Sequence, residues 1–312
     1  MKLGPIVRGL LSFIPGANEL LPKRKNGSAD SSEGCYYDWL KHLGILYSNG
    51  VTKIPNTFAE LGPGDSLGVG FAALLSGANV YYAMDIYSHA NTEINLKVFD
   101  GLVELFKARA PRPWQGFPNI DEYLDENLFP SKILTEELLT ATLANDRIQR
   151  IRKAIENLGT PQGEILIEYK VPYMNSSVIE KESVDLLFSN AVLEHIEELD
   201  FTYKTLYTWL KPNGIMTHLI DFDCHNLTKQ WNGYRKINEI LWKILVGKKM
   251  YLINRQPVSV HLDLIQKNGF KILCNLKKYR TDGIKRSELA SKWKNISDDD
   301  LTCVVAFIQA QK

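Results

Sequence analysis

The sequence of 312 residues lacks the features that mark several large classes of protein. Its four cysteines lie far apart and form no Cys-x-x-Cys pair, which argues against a structural zinc site and against a disulfide framework. No apolar run approaches the roughly 20 residues of a membrane span. The first residues are broken by Gly, Arg and Pro and do not resemble a signal peptide. We therefore expect a protein of the reducing cytoplasm.

The sequence also has no excess of positive or negative charge. The formal net charge is +1, so there is no global electrostatic reason to expect nucleic acid as a partner. The segment "GPIVRGLLSFIPG", with Arg8 and the basic run Lys23–Lys25, is compatible with a helix lying on an anionic membrane. Because the segment is short, we favour an arm packed on the protein over peripheral membrane contact.

Strand-like and helix-like segments alternate along most of the chain. Residues 1–50 are expected to form an N-terminal arm and a helix at Tyr36–Leu46, and residues 51–312 an α/β domain. The alternation predicts a Rossmann-like, doubly wound, mostly parallel seven-stranded sheet, and the final two strands, with no good helix between them, predict an antiparallel edge strand. Residues 192–210 are expected to form one amphipathic helix. Insertions at about 91–160 and 222–256 are expected to form a substrate lid.

A glycine-rich loop follows the first predicted strand, in "FAELGPGDSLG". Gly62 and Gly64 are followed by Gly68, one residue too late for the Gly-x-Gly-x-x-Gly fingerprint of nicotinamide and flavin sites, and no Gly-Lys-Ser/Thr follows. Glu60, two residues before the first glycine, suits a cofactor with an ammonium or sulfonium charge. Asp85 lies about 20 residues beyond the loop, where an acid can accept ribose hydroxyls.

These residues resemble the first motif of class I S-adenosylmethionine-dependent methyltransferases (methyltransferase type 11-like), Glu/Asp-x-Gly-x-Gly. "SVDLLFSNAVLEHI" resembles the family's fourth-strand motif, and "LKPNGIMTHLI" its Leu-Lys-Pro-Gly-Gly turn and fifth strand, with Asn213 in place of the first glycine. The third-strand segment "EYKVPYMN" lacks the family's common Gly-Asp-Ala, so no adenine contact is assigned. The resemblance implies that S-adenosylmethionine is bound by Glu60, Gly62, Gly64, Ser66, Gly68, Asp85 and Asn190.

The run "THLIDFDCHN" supplies candidate catalytic residues, since ligands of open α/β sheets bind beyond the carboxyl ends of the strands. Asp221 and His225 are expected to converge there, and His225, oriented by Asp221, is the predicted general base, with His218 as second choice. The carboxylates and imidazoles of this run could also bind a divalent metal or serve a structural role. Their spacing has no diagnostic pattern, and no metal ligands are assigned.

Substrate contacts are expected from His195 in "VLEHI" and from aromatic and Arg residues of the two insertions, of which Trp114, Trp231 and Arg255 are selected. Aromatic rings beside Arg suit sugars, aromatic rings or acidic groups, and they equally suit a packed lid. The function we expect is O-methylation of a small molecule or a glycan/lipid precursor, with N-methylation next. The alternative is a non-catalytic S-adenosylmethionine-binding or scaffold protein with the same fold.

Overall fold

The computed structural model describes residues 7, 9–13, 31–173, 176–247 and 252–312. Seven strands form one sheet in the order β3-β2-β1-β4-β5-β7-β6. The strands are β1 (Thr57–Leu61), β2 (Val80–Met84), β3 (Leu166–Lys170), β4 (Val184–Asn190), β5 (Leu210–Asp221), β6 (Lys271–Tyr279) and β7 (Cys303–Gln311). The first five strands pair in parallel, and β7 runs antiparallel to both β5 and the edge strand β6. The predicted fold class, with its antiparallel pairing at one edge, is confirmed.

Nine helices of the described residues cover the two faces of this sheet. They are α1 (Ser32–Ser48), α2 (Gly68–Leu75), α3 (Thr92–Lys107), α4 (Glu136–Thr142), α5 (Asn145–Glu156), α6 (Leu199–Trp209), α7 (Glu239–Val246), α8 (Val258–Lys267) and α9 (Asp298–Thr302). The central strands are buried on both faces, and side chains alternate between the two. Phe58 and Phe188 join the core under α1 to α3, whereas Ala59 and Leu187 join the core under α6 and α8.

The helix α1 is longer and more deeply buried than its sequence pattern predicts. It begins after Ser31, whose hydroxyl accepts a hydrogen bond from the Gly34 N–H at 3.0 Å. Every residue from 34 to 46 is buried except Asp38, and the buried set includes Lys41 and His42. A single apolar face was expected. The difference arises because α1 lies on the sheet and is itself covered by α2, α3 and the loop around Ile120.

The first predicted insertion contributes to this helical layer. Helices α3 and α5 place Phe99, Ile151 and Ile155 in the same core as α1, and Ile120 packs on Gly44. The predicted role of both insertions as a substrate lid remains a prediction. The second insertion forms a small apolar cluster of its own, which consists of Cys224, Leu227, Tyr234, Ile237, Trp242, Leu245 and Ile253.

The helix expected over residues 192–210 is interrupted. A 3₁₀ turn at Leu193–His195 follows β4, and α6 begins only at Leu199. Ala191 adopts a left-handed φ of 52°, which turns the chain out of the strand. In the turn before the regular part of β5, Asn213 has a φ of 67°. Asn tolerates this conformation better than most residues, so the departure from glycine there is accommodated.

The N-terminal arm is described only in part. Its short helical segment contacts α7, because a Cβ atom at Gly9 would lie 2.2 Å from the carbonyl oxygen of Ile244. Val7, Leu10 and Phe13 are exposed. The basic residues of the predicted membrane segment, Arg8 and Lys23–Lys25, lie outside the described residues. The four cysteines form no disulfide. Among the described helices, none is both long enough and apolar enough to cross a bilayer.

A tight contact between α2 and β2 gives a stability prediction. A Cβ atom at Gly70 would lie 2.1 Å from Cε1 and Cζ of the Tyr81 ring. Gly70→Ala should therefore destabilise the protein by about 1–3 kcal/mol through overpacking, and this should outweigh a gain in helix propensity of about 1 kcal/mol. Chemical denaturation measures the change. In a Tyr81→Leu background the same substitution should be less destabilising, and an equal effect in both backgrounds would contradict the contact.

Candidate functional site

The predicted site residues gather along the edge of the sheet where parallel strands end. Strands β1, β2, β4 and β5 point the same way, so the loops that follow them share this edge. The four loops contribute the glycines after β1, Asp85 after β2, residues 190–195 after β4 and residues 221–225 after β5. The sheet topology thus brings together residues that are far apart in the sequence.

The loop after β1 depends on two glycines in left-handed conformation. Gly62 has a φ of 62° and Gly64 a φ of 77°. A Cβ atom at Gly62 would lie 2.7 Å from Cγ2 of Val192, so only a glycine lets this loop pass so close to the turn after β4. The N–H of Gly64 interacts with the carboxylate of Asp85. The loop after β1 is therefore joined both to the β2 loop and to the β4 loop.

Asp85 occupies the position predicted for it at the end of β2. Its Oδ1 accepts hydrogen bonds from the backbone N–H groups of Ile86 at 2.7 Å and Tyr87 at 3.3 Å. Burial raises the pKa of Asp85, and these backbone N–H groups oppose the rise. A largely buried acid is thus held beside Gly64 by the main chain.

Glu60 has surroundings that the sequence does not reveal. Its side chain is buried, and Oε2 accepts a hydrogen bond from the Tyr81 hydroxyl. Burial raises the pKa of Glu60 to about 8, and the Tyr81 hydroxyl only partly offsets this. In the described structure the carboxyl group is therefore mainly protonated at neutral pH. Its predicted contact with a cationic cofactor remains a prediction, and that contact would require the proton to leave.

Two of the loop residues predicted to bind cofactor have internal contacts instead. Ser66 is buried, and its hydroxyl accepts a hydrogen bond from the Gly68 N–H at 3.2 Å and lies 3.8 Å from Cys35 Sγ. A Cβ atom at Gly68 would lie 2.5 Å from that same sulfur. Both residues pack α2 against α1, and their predicted contact with a cofactor remains a prediction. Glycine is needed at position 68 for the close approach of the two helices.

Asn190 lies at the end of β4 and is held by a residue that the sequence analysis missed. Its Oδ1 lies 3.1 Å from Nε2 of His42 in α1, and Nδ1 of His42 lies 2.9 Å from the Thr217 hydroxyl. Burial lowers the pKa of His42 to about 3, so the ring is neutral. The two ring nitrogens of His42 therefore link Asn190 of β4 to Thr217 of β5.

The contact with His42 holds the Asn190 side chain at the end of β4. With its oxygen occupied by His42, the Asn190 Nδ2 is buried and has no hydrogen-bond partner in the described residues. A buried amide NH₂ without a partner is a donor available to a ligand. No local motif marks His42, because its role depends on α1 crossing β4 and β5.

The loops after β4 and β5 form a cluster of acids and histidines. His225 Nε2 lies 3.9 Å from Oδ2 of Asp221 and 4.0 Å from Oε1 of Glu194. The rings of His195 and His225 have centroids 5.2 Å apart. The predicted convergence of Asp221 and His225 is therefore observed, but their separation is longer than a hydrogen bond. Sequence reasoning named His195 only as a substrate contact and missed Glu194.

Glu194 is the most deeply buried member of this cluster, with a relative exposure of 2%. Neither of its carboxylate oxygens has a hydrogen bond of standard geometry in the described residues. Burial raises the pKa of Glu194 well above its usual value; its own N–H and that of Asp221 oppose the rise. Burial also raises the pKa of Asp221. The cluster therefore concentrates acidic groups that lack a positive partner.

Local turns place these side chains. Asp221 Oδ1 accepts from the Asp223 N–H at 2.8 Å, and Asp223 Oδ1 accepts from the His225 N–H at 3.0 Å, so two successive Asx turns bring the chain back over the strand end. Asn254 fixes the other side, because its Nδ2 donates to the carbonyl oxygens of Leu193 at 2.8 Å and Ile196 at 2.7 Å. The second insertion thus clamps the turn that carries Glu194.

His218, the second choice as general base, lies in the core. It has no exposed surface, and its Nδ1 is 2.8 Å from the Ser189 hydroxyl. Burial lowers the pKa of His218 to about 3. We correct this assignment, because the pleat of β5 directs Thr217 and His218 to opposite faces of the sheet. A base enclosed beneath α6 and α8 has no route to an acceptor.

The predicted substrate contacts from the insertions have mixed positions. Arg255 is buried, forms an ion pair with Glu239 at 2.6 Å and stacks on the Trp242 ring at 4.1 Å. Trp231 is buried as well. Their burial leaves little surface for a substrate, and the predicted substrate roles of both remain predictions. Trp114 is exposed and packs on Tyr37 of α1 with ring centroids 5.1 Å apart, and its substrate role remains a prediction.

Comparison with known proteins agrees with this geometry. Residues 130–217 match a family model described as a methyltransferase domain. The matched segment spans β3, β4 and most of β5, and so includes Asn190, Glu194 and His195. No curated protein sequence matches the chain.

Solved structures of similar fold have low sequence identity. An S-adenosylmethionine-dependent methyltransferase from Mesorhizobium loti is 14% identical over 86% of this chain and 96% of that chain, with a TM-score of 0.42. One from Methanosarcina mazei has the same identity and coverage and a TM-score of 0.43. Phosphoethanolamine N-methyltransferase 2 from Haemonchus contortus, in complex with S-adenosyl-L-methionine, is 15% identical over 90% of this chain and 57% of that chain, with a TM-score of 0.42. Similarity at this level gives no information about the acceptor.

The buried carboxyl group of Glu60 gives a pH prediction. Its pKa rises from 4.5 to about 8 on folding, so the folded protein holds a proton that the unfolded chain releases. The contribution of Glu60 to stability is therefore largest below about pH 4.5 and is lost as the pH rises through about 8. Glu60→Gln, which keeps an acceptor for Tyr81, should flatten the fall in unfolding free energy over this range, measured by denaturant titration.

The control for this pH prediction is Glu126→Gln, at an exposed acid. It should leave the pH dependence of wild type unchanged. A Glu60→Gln protein whose stability falls with pH as steeply as that of wild type would contradict the protonation of Glu60.

Proposed function

We propose that the chain, of which residues 130–217 match a methyltransferase domain, uses S-adenosylmethionine to methylate a hydroxyl group of a small molecule or a glycan/lipid precursor at the strand-end site. The observation that carries this proposal is the cluster of Glu194, His195, Asp221 and His225 next to the glycine loop. A buried carboxyl group and two imidazoles beside the glycine loop, at the edge where this fold binds ligands, are groups that a polar acceptor can contact.

The residues of the loop edge fit the cofactor. Gly62 and Gly64 leave room for close approach to the main chain, Asp85 offers a carboxylate suited to ribose hydroxyls, and the buried Nδ2 of Asn190 has a free donor. We propose that these four residues hold the cofactor. When bound, S-adenosylmethionine supplies a methyl group activated by the positive sulfonium. His42 and Thr217 orient the Asn190 amide for this contact.

The chain itself would contribute alignment and proton transfer. Binding of the acceptor between the β4 and β5 loops would align its hydroxyl with the methyl group, and alignment is the main requirement of an in-line displacement. We propose that His225, beside Asp221, accepts the hydroxyl proton when no cation occupies the cluster. The Asp221 charge would then stabilise the imidazolium that forms.

A non-catalytic binding or scaffold protein is the alternative. Glu194 argues against it, because a buried carboxylate without a partner destabilises a fold and has no structural benefit here. N-methylation is the second candidate reaction. A screen of hydroxyl- and amine-bearing acceptors with labelled S-adenosylmethionine, followed by fragmentation of the product, separates these possibilities. A label on oxygen supports the proposal, a label on nitrogen replaces it, and no transfer to any acceptor supports the scaffold.

The expected compartment is the cytoplasm, as a reducing environment fits four cysteines that form no disulfide. Contact with a membrane surface is a less favoured proposal. The exposed side chains of Val7, Leu10 and Phe13 are compatible with it, and the packing of Gly9 on α7 is compatible with an arm strapped to the protein. Flotation with anionic liposomes, with and without residues 1–25, distinguishes the two.

Replacement of Asp85 tests the cofactor assignment. Asp85→Ala should remove ribose hydrogen bonds worth about 1.5–3 kcal/mol, which weakens S-adenosylmethionine binding by about 10- to 150-fold. Asp85 also accepts hydrogen bonds from the backbone N–H groups of Ile86 and Tyr87. The companion variant is therefore Asp85→Asn, which keeps a side-chain oxygen for these two bonds. Calorimetry should find weaker binding in both variants. Wild-type affinity in both would remove Asp85 from the site.

Replacement of His225 tests the role of the cluster. His225→Ala should lower turnover of the acceptor found in the screen by about 10²–10⁴, the usual effect of losing a positioned base. Cofactor binding should change little, because the glycine loop and Asp85 are intact. Turnover is followed by product mass and cofactor affinity by calorimetry. Near-full turnover of His225→Ala would exclude His225 from the reaction.

A further inference from the structure

The cluster at the ends of β4 and β5 contains more acid than its surroundings can neutralise. Glu194 is 2% exposed, and neither of its oxygens has a hydrogen bond of standard geometry in the described residues, while Asp221 is close by on the neighbouring strand. Among the described residues, the carboxylate of Glu194 has no Lys or Arg within 4.0 Å, and His225 Nε2 lies 4.0 Å from its Oε1. A buried carboxylate is usually paired with a cation or coordinates a metal.

The histidines of the cluster present nitrogen atoms to the same space. His225 Nε2 is buried without a hydrogen-bond partner in the described residues. One ligand atom from each of Glu194, His195 and His225 lies within 4.8 Å of the other two. Two ligands that each lie about 2.0–2.2 Å from one ion are separated by about 3–4 Å. Small rotations of the side chains would therefore bring all three onto a single ion.

The backbone around the cluster holds the three ligands in place. Glu194 and His195 share the 3₁₀ turn that Asn254 clamps through three hydrogen bonds, one of them from the Asn254 N–H to the Glu194 carbonyl at 2.6 Å. His225 has a left-handed φ of 46° and is fixed by the Asx turn of Asp223. Rigid support of this kind is what a metal site needs.

We propose that Glu194, His195 and His225 bind a divalent transition-metal ion, with Asp221 within reach as a further ligand. Two imidazoles and one carboxylate suit Zn²⁺, Mn²⁺ or Fe²⁺ better than Mg²⁺, which prefers oxygen ligands. Three protein ligands leave positions open on the ion, as in catalytic rather than structural metal sites.

The ion would change the part that His225 has in the reaction. This step rests on the proposed function, which places the acceptor beside the cluster. With the ion bound, His225 Nε2 is a ligand and accepts no proton. The acceptor hydroxyl would coordinate the ion, which lowers the pKa of that hydroxyl, and its O–H bond would break with release of the proton to water. The site would then favour acceptors that offer oxygen to a metal, such as adjacent hydroxyl or carbonyl groups.

Metal binding is tested without cofactor or acceptor, so that it does not depend on methyl transfer. Chelator-stripped protein is titrated with MnCl₂, ZnCl₂ and MgCl₂ by calorimetry, and Mn²⁺ binding is followed by its paramagnetic resonance signal. We expect one Mn²⁺ or Zn²⁺ ion per chain and weaker binding of Mg²⁺. At about a hundredfold excess over the dissociation constant, the melting temperature should rise by several degrees.

The decisive variant is Glu194→Gln, which keeps the size of the side chain. It should weaken Mn²⁺ binding by more than the roughly 10- to 100-fold that changes around metal ligands produce. Glu197→Gln, three residues away at an exposed position, is the matched control and should behave as wild type. His225→Asn is a second variant if Glu194→Gln does not fold.

The outcomes separate this inference from the proposed function. Wild-type protein that binds none of the three ions, or Glu194→Gln that binds Mn²⁺ as wild type does, would overturn the metal site. Metal binding lost in Glu194→Gln and His225→Asn and kept in Glu197→Gln would support it, even if no acceptor is methylated. Turnover that persists in chelator while metal binding is absent would leave methyl transfer with His225 as base and remove the ion.

Discussion

The parallel alignment of β1, β2, β4 and β5 is the constraint on which the rest of the structure depends. Parallel strands place all of their carboxyl ends at one edge, and their connections must cross the faces of the sheet as helices. The faces are thereby covered, and the edge collects four loops that are separated by up to 160 residues in the chain. One close passage among them, between Gly62 and Val192, needs a residue without a side chain.

Because both faces are covered, polar groups near the edge are removed from water and must find partners within the protein. Buried polar groups near the edge have different partners. His42 remains neutral and links Thr217 to Asn190, whereas Glu60 keeps its proton and accepts from Tyr81. Arg255 forms an ion pair with Glu239 and stacks on the Trp242 ring. Glu194 differs from these neighbours, because neither of its oxygens has a hydrogen bond of standard geometry in the described residues and its hydration is lost on burial.

The same burial connects the two halves of the proposed site. The Asn190 amide and the Glu194 carboxylate belong to one continuous turn after β4, four residues apart. One is oriented from α1, outside the segment that matches the methyltransferase family, and the other is held by Asn254 of the second insertion. The site is therefore assembled from the domain core and from two segments that flank or interrupt it. Changes in α1 would reach the site through the hydrogen bond between His42 and Asn190, and changes in the second insertion through the three hydrogen bonds of Asn254.

The sequence alone determined the sheet, its antiparallel edge, the glycine loop and the acid after β2. These features depend on local requirements: burial on alternate faces sets the apolar pattern, and a left-handed backbone requires Gly62 and Gly64. The sequence also predicted that Asp221 and His225 converge, since an i, i+4 pair after a strand end needs only one turn. It did not separate Gly68, a packing residue, from Gly64, which lies in the open loop.

Only the tertiary structure decided which polar side chains share the site. Thr217 and His218 are adjacent in the sequence. The pleat of β5 nevertheless directs Thr217 to the hydrogen-bond network of Asn190 and His218 into the core beneath α6 and α8. No local sequence motif identifies His42 or Glu194, because the groups around them come from segments more than 25 residues away in the sequence. The physical reason is that desolvation and the distances between charges depend on how distant segments pack, and the spacing of residues along the chain does not encode that packing.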